Sequence, residues 1–244
     1  VQPTLFISDL HLSPERPGIT SAFFDFLARE ASGAGALYIL GDLFDYWIGD
    51  DDLDDPFADQ IARAIGTVTD AGCAVYLMHG NRDFLIGEAL CRAAGATLLV
   101  DPTVVDLHGV PTLLLHGDTL CIDDPDYMTF RAKVRDPAWQ RAFVTKPIEE
   151  RRRIAVGLRA DSRSSQMSKS ETIMDVAPRA VIEAFRKSDC TRMIHGHTHR
   201  PGRHEHLVDG RTCERWVLAD WYTRGSFLCI DTGGVASPKL LPSV

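Results

Sequence analysis

No apolar run in the 244-residue chain approaches the roughly 20 residues that a membrane-spanning helix needs. Nor does the chain open on a basic stretch followed by an apolar one, the pattern of a secretory leader. The six cysteines (73, 91, 121, 190, 213 and 229) form no CxxC pair, and several sit inside apolar stretches such as "SFLCID". That spacing argues against a disulfide framework and for buried free thiols in a reducing compartment, so a cytoplasmic protein is expected. Internal repeats and low-complexity tracts are also missing. The basic residues carry no interleaved aromatic pattern like that of single-strand binders, so nucleic acid is not expected as a partner. No obligate protein partner is expected either.

What is present is a chain 45% hydrophobic and 25% charged, enough for one sizeable core with room for an inserted subdomain. The net charge of −8 is unevenly spread. Residues 131–169 hold eleven Lys/Arg against four Asp/Glu, a local +7 that leaves −15 on the remainder. Such a run is either the solvated face of a helix or an attractor for a phosphorylated substrate or an anionic membrane surface.

Strand-like runs alternate with helical patterns through the first hundred residues. "TLFISD", "ALYILGD" and "CAVYLMHG" read as strands, with helices in "ITSAFFDFLAREA", "PFADQIARAIGTVTDAG" and "FLIGEALCRAAG". Alternation of this kind indicates an α/β fold with a mainly parallel sheet. Two hairpins follow, turning at His108-Gly109 and Asp209-Gly210, and "GSFLCID" supplies a last strand. Between the hairpins lie helical patterns with almost no strand signal. Residues 123–169 read as a helical insertion or lid in a core of 1–122 and 170–244, with a core helix around "APRAVIEAFRK".

Five strand ends carry polar residues suited to metal chemistry. They present Asp9-Leu10-His11, Gly41-Asp42, Gly80-Asn81, His116-Gly117-Asp118 and Gly196-His197-Thr198-His199. Each alone is ordinary, since Gly, Asn and Asp are turn residues and Asp is a common helix cap. Together they bring carboxylates, an amide oxygen and imidazoles, without sulfur, to the sheet edge where α/β sites assemble. That donor mixture suits Mn²⁺, Fe²⁺ or Zn²⁺ in near-octahedral sites. Seven donors are too many for one such ion and about right for two that share a carboxylate and clamp phosphoryl oxygens.

On those motifs the chain resembles the calcineurin-like metallophosphoesterases, whose pattern runs DxH, GDxxD, GN(H)D, a later His and GHxH. The resemblance implies a four-layer αββα sandwich with two metal ions. One would be held by Asp9, His11, Asp42 and His199, the other by Asp42, Asn81, His116 and His197. Within that superfamily, "LGDLFDYWIGDD", "HGNRDFL", "LLHGDTLCIDD" and "IHGHTHRP" resemble the diphosphatases of lipid A synthesis. That likeness implies two Mn²⁺ and a lipid-nucleotide substrate, a diacylated UDP-glucosamine. Water attack at the α-phosphorus would give UMP and 2,3-diacylglucosamine 1-phosphate, at a peripheral position on the inner-membrane surface. It places catalytic roles on Asp42, Asn81, Arg82 and His197. Substrate contacts would fall on Asn81, Arg82, Asp124, Ser162, Gln166, Lys169 and His197. Ser162, Gln166 and Lys169 fall at i, i+4 and i+7, one face of a helix. On spacing alone they read more readily as exposed polar residues, and Gln166 stands where an Asn is common.

The chain departs from the superfamily at Arg82, where most members have a histidine read as general acid. Arginine stays protonated, so it donates protons poorly but binds phosphate oxygens bidentately. A departing UMP is already a stable phosphate anion, so charge stabilisation is expected to stand in for acid catalysis. Asp83 is expected to support the loop and not to bind metal. In the lid, Ile154, Val156, Leu158, Phe130 and Phe143 would either line an acyl groove or fasten helices together. Arg151 to Arg153 would favour an anionic membrane. Two other readings remain open, a soluble nucleotide or phosphodiester phosphoesterase and a non-catalytic scaffold of the same fold.

Overall fold

The computed structural model describes residues 2–168 and 175–242. The first hundred residues alternate as expected. They run β1 (Thr4–Ile7), α1 (Pro17–Arg29), β2 (Ala36–Leu40), α2 (Pro56–Asp70), β3 (Ala74–Met78), α3 (Glu88–Ala93) and β4 (Thr97–Leu99). A hairpin of β5 (Thr103–Leu107) and β6 (Val110–Leu114) follows. Next come α4 (Pro125–Val134), α5 (Pro137–Val144), α6 (Ile148–Ser168) and α7 (Pro178–Ser188). The chain then adds β7 (Arg192–His195), the hairpin β8 (Gly202–Val208) and β9 (Arg211–Val217), β10 (Ser226–Ile230) and β11 (Ala236–Leu240).

Among the described residues these strands make two sheets. One is ordered β11-β10-β1-β2-β3-β4, the other β5-β6-β7-β9-β8. The β1 to β4 stretch is parallel, and the return strands β10 and β11 add antiparallel to it.

Side-chain alternation at period two creates the layers. Leu5 and Ile7, Leu37 and Ile39, and Val75 and Leu77 face α1 to α3, packing with Phe23, Phe26, Ile61 and Leu90. The residues between them, Phe6, Tyr38, Leu40 and Met78, face the second sheet and meet Leu114 and Ile194. On that sheet's far side Leu113, Leu115 and Met193 pack on Val181 and Phe185 of α7. The architecture is thus helices, sheet, sheet, helix, the αββα sandwich that the motifs implied.

Several boundaries differ from the expected ones for identifiable reasons. α3 starts only at Glu88, because the Asp50 carboxylate accepts from the amides of Gly87, Ala89 and Leu90 and fixes the helix start there. "GSFLCID" is not the last strand. β11 lies outside it as an edge, where Pro238 and the exposed Lys239 are tolerated because an edge strand leaves one row of amides unpaired. β4 has three residues and no alternating pattern, which is why it escapes sequence reading.

Residues 123–169, expected to form an insertion, hold α4, α5 and α6 and, among their described residues, no strand. α4 and α5 each begin with an Asp-Pro pair. Asp124 accepts from the Tyr127 amide, and Asp136 from the amides of Ala138 and Trp139, while the proline occupies a position whose N–H would otherwise be orphaned. All six cysteines are free, and Cys229 alone is partly exposed.

Phe185, fully buried between α7 and the second sheet, tests the outer layer. Phe185→Ala is expected to lower unfolding free energy by about 3–5 kcal/mol, measured by urea denaturation. A loss below about 1 kcal/mol would contradict this packing.

Candidate active site

The polar residues gather because five strand ends stop at one edge and turn sharply. Asp9, His11, Asp42, His197 and His199 all take left-handed backbone conformations, with φ of 55°, 50°, 54°, 69° and 54°. Such conformations cost a non-glycine residue roughly 1–3 kcal/mol and persist only where surroundings enforce them. Here the loops zip to one another. Asp9 N donates to Gly41 O at 3.1 Å, His11 N to Asp42 O at 3.0 Å and Leu12 N to Leu43 O at 2.9 Å.

Two glycines permit the approach. A Cβ on Gly80 would lie 2.0 Å from Asp42 Oδ1, and one on Gly196 would lie 2.1 Å from Ser8 Oγ. Asp83, fully buried, accepts from Gly80 N and Leu43 N at 2.8 Å and from Asp42 N at 3.3 Å. It is a loop support, as its place in the motif suggested.

The donors converge in two groups. Ligand atoms of Asp9, His11 and His199 lie within 4.8 Å of one another, as do those of Asp9, Asp42 and His116. Asn81 Oδ1 joins the second group, 3.0 Å from His116 Nε2 and 2.9 Å from His197 Nδ1. His116 Nδ1 is engaged by Leu40 O at 2.9 Å, which leaves Nε2 facing the cluster. All seven expected ligand side chains therefore meet.

The charges fit dications. Burial pushes the Asp42 carboxyl up, with Asp83 and Asp9 adding to it and His116 and Arg82 opposing. His116 stands at about 9 although burial opposes its charge, because Asp42, Asp9 and Asp118 face it. His197 is pushed down to about 4 by burial and by the neighbouring His116 charge. His11 Nδ1 is buried with no hydrogen-bond partner, 3.8 Å from Asp42 Oδ2. An orphaned imidazole nitrogen among buried carboxylates is what a metal ion would satisfy.

Arg82 stands above this floor, with its side chain 13% exposed. Its Nε is 3.6 Å from Asp42 Oδ2, its Nη1 donates to Asp45 at 3.1 Å and its Nη2 to Tyr222 Oη at 3.3 Å. Asp45 also takes Arg159 of α6, whose Nη1 further donates to the Asp45 carbonyl at 2.6 Å. Asp118 receives Tyr127 Oη at 2.8 Å and Arg131 Nε at 2.7 Å, both from α4. Arg135 donates to Gly80 O at 2.8 Å.

A cavity of about 600 Å³ lies between this floor and the insertion. Asp42, Asn81, Arg82 and His197 line its base, while Phe130, Trp139, Phe143 and Leu158 supply an apolar wall. Asp124 and Ser162 also line it, and Asp124 doubles as the α4 cap. The side chain of Gln166 and the whole of Lys169 lie outside the described residues. Ile154 is not among the lining residues, and Val156 faces away, 56% exposed.

The arginines offered to a membrane are partly committed elsewhere. Arg151 is buried and pairs with Asp51, and Arg152 pairs with Asp52 at 2.7 Å. No helix among the described residues is long and apolar enough to cross a membrane. Tyr127, Tyr222, Arg131 and Arg159 were not picked out from the sequence. Asp45 and Asp118 lay inside quoted motifs without a role.

Comparison with known proteins identifies the family. The family model described as calcineurin-like phosphoesterase matches residues 2–201. The chain is 52% identical over 233 residues to the UDP-2,3-diacylglucosamine hydrolase of Cellvibrio japonicus, covering 96% of this chain and 97% of that protein. It is 50% identical over 238 residues to the protein of the same name from Stenotrophomonas maltophilia, covering 95% and 96%. The chain belongs to the calcineurin-like phosphoesterase family, a group that implies divalent metal ions, and it matches named UDP-2,3-diacylglucosamine hydrolases over almost its whole length.

Proposed function

We propose that the chain hydrolyses UDP-2,3-diacylglucosamine in lipid A synthesis, using two Mn²⁺, by attack of water on the α-phosphorus to give UMP and 2,3-diacylglucosamine 1-phosphate. The observation that carries this reading is one cavity whose base is polar, with Arg82 in it, and whose wall is aromatic and aliphatic. A diphosphate bearing two acyl chains needs both halves in one space. The names of relatives at about 50% identity support the same substrate.

Asp9, His11, Asp42 and His199 would hold one ion, and Asp42, Asn81, His116 and His197 the other. When bound, the pair supplies charge neutralisation at the phosphoryl oxygens and a water of lowered pKa. Arg82 directs its guanidinium at the oxygens of the diphosphate, where a fixed cation stabilises charge that grows in the transition state. Attack at the α-phosphorus makes the sugar 1-phosphate, not UMP, the departing group. The case for arginine is unchanged, because either phosphate leaves as a stable anion without needing a proton. Asp124, Ser162, Gln166 and Lys169 are proposed substrate contacts from the insertion, 123–169, acting as lid. Phe130, Trp139, Phe143 and Leu158 would take the acyl chains. Exposed Lys133, Arg141 and Arg153 are the basic groups proposed to face an anionic inner-membrane surface, each contributing about 1 kcal/mol when close.

Turnover of UDP-2,3-diacylglucosamine in ¹⁸O-labelled water is expected to require Mn²⁺ and to place the label in UMP. Mass spectrometry showing the label in the sugar phosphate would overturn the α-phosphorus assignment. Equal cleavage of a soluble phosphodiester would favour a general phosphoesterase.

Removing the shared carboxylate in Asp42→Ala should abolish measurable turnover. Arg82→Ala should lower kcat by about 10²–10³-fold, with Arg82→His recovering little. Undiminished steady-state rates for Arg82→His would count against the charge-stabilising role.

A further inference from the structure

The loop between β9 and β10 carries two adjacent aromatics with opposite fates. Trp221 is fully buried, edge-on to Phe26 at 5.8 Å and to Phe23 at 6.3 Å beneath α1. Its amide donates to Asp9 O at 3.1 Å, and its carbonyl accepts Arg16 Nη2 at 2.8 Å. The same Arg16 donates through Nη1 to Leu10 O and His11 O, both at 3.0 Å. Trp221 therefore fixes this loop against the one bearing Asp9 and His11, and the next residue inherits a defined position.

That residue, Tyr222, is 44% exposed and borders the cavity. Its ring lies 5.3 Å from the His11 ring at 25°, and 5.3 Å from the His199 ring at 61°. Arg16 Cζ sits 5.0 Å from the ring centroid, within cation–π range. Its hydroxyl accepts Arg82 Nη2 at 3.3 Å. The amide of Tyr222 is held in turn by Asp220 Oδ1 at 2.9 Å, and the other Asp220 oxygen lies 3.8 Å from His199 Nδ1. One side chain thus touches both imidazoles of one donor group and the guanidinium above the other.

We infer that Tyr222 is a positioning residue that fixes Arg82 relative to the Asp9–His11–His199 group, with its ring bracing the two imidazoles and its hydroxyl aiming the guanidinium. The inference rests on the proposed role of Arg82 for its hydroxyl half and on the donor group alone for its ring half. The two halves are separable. Two carboxylates pull Arg82 toward the floor and toward Asp45, and neither fixes the rotation of the guanidinium plane toward the open side. A third contact on Nη2 does. In the same way, facing imidazole nitrogens of His11 and His199, 3.5 Å apart, gain a rigid neighbour that limits ring rotation. Supporting contacts of that kind around ligands typically change metal affinity or activity by about 10–100-fold.

The test compares Tyr222→Phe and Tyr222→Leu with the unaltered chain, alone and combined with Arg82→Ala. Readouts are turnover of UDP-2,3-diacylglucosamine and Mn²⁺ affinity of the metal-stripped protein by calorimetry, without substrate. Tyr222→Phe should lower kcat about 3- to 10-fold, leave KM within about twofold, and leave Mn²⁺ affinity unchanged. In the Arg82→Ala background it should have no further effect, since contacts acting through one group are not additive. Tyr222→Leu should add a loss of about tenfold in Mn²⁺ affinity. Undiminished kcat in Tyr222→Phe, a loss that multiplies with Arg82→Ala, or a change in KM alone would overturn the hydroxyl role. Unchanged Mn²⁺ affinity in Tyr222→Leu would overturn the ring role. If Arg82→Ala alone kept full turnover, the role of Arg82 itself would fail, and the Mn²⁺ affinities would still decide the ring's part.

Discussion

Asp9 and Asp42 are buried with ligand oxygens no more than 4.8 Å apart. At an effective dielectric of about 20, two unit charges at that distance repel by roughly 3–4 kcal/mol, before any cost of leaving water. Such a pair is held where a cation, a shared proton or hydrogen bonds offset the repulsion. The cluster answers with the Arg82 guanidinium and a donor set suited to metal ions. The geometry of the strand ends follows from the same demand. Left-handed turns at Asp9 and Asp42 bring their loops together, and glycine at 80 and 196 lets the backbone pass within contact of the carboxylates. Asp83 spends its lone pairs on backbone amides, which holds the second carboxylate where it is.

The uneven charge along the sequence has a related cause. The basic helices α4 and α6 meet acidic residues through specific pairs, and those pairs end on loops that shape the site. Arg131 reaches Asp118, two residues from His116, and Arg159 reaches Asp45, which also holds Arg82. Arg135 reaches the carbonyl of Gly80, beside Asn81. Exposed ion pairs contribute little to stability, typically below about 1 kcal/mol. These pairs are mostly buried or half-buried, and their chief effect is registration. These contacts place α4 and α6 against the site loops, so the cavity's apolar wall stands over its polar base.

Much of this was legible in the sequence because its signals were local and redundant. Continuous apolar runs in "TLFI" and "ALYIL" mark strands packed on both faces, and polar residues directly after them mark the edge where sites assemble. What escaped notice depended on long-range partners. Nothing around Tyr222 in "LADWYTRG" distinguishes it from an ordinary surface tyrosine, because its partners, Arg16, His11, Arg82 and His199, are distant in sequence. Arg151 looked like its neighbours in "RRR", and only the fold buries it against Asp51. Edge strand β11 was missed because it pairs on one side only and so needs no strong pattern.

The arginine in "GNRD" depends for its usefulness on the residues that hold it. A histidine there would sit beside Asp42 and could switch its proton on and off. A guanidinium cannot, so its usefulness depends on where its charge is held. Asp42 alone would draw it onto the carboxylate and neutralise it. Asp45 draws Nη1 away, and the shared contact with Arg159 limits how much of Asp45's charge Arg82 can absorb. Tyr222 takes Nη2 through a neutral acceptor that quenches no charge at all. The result is a permanent cation beside the cavity, oriented by partners and only partly neutralised by them. A fixed cation held in that way can stabilise a developing phosphate charge through the part of its charge that Asp42 and Asp45 leave unneutralised.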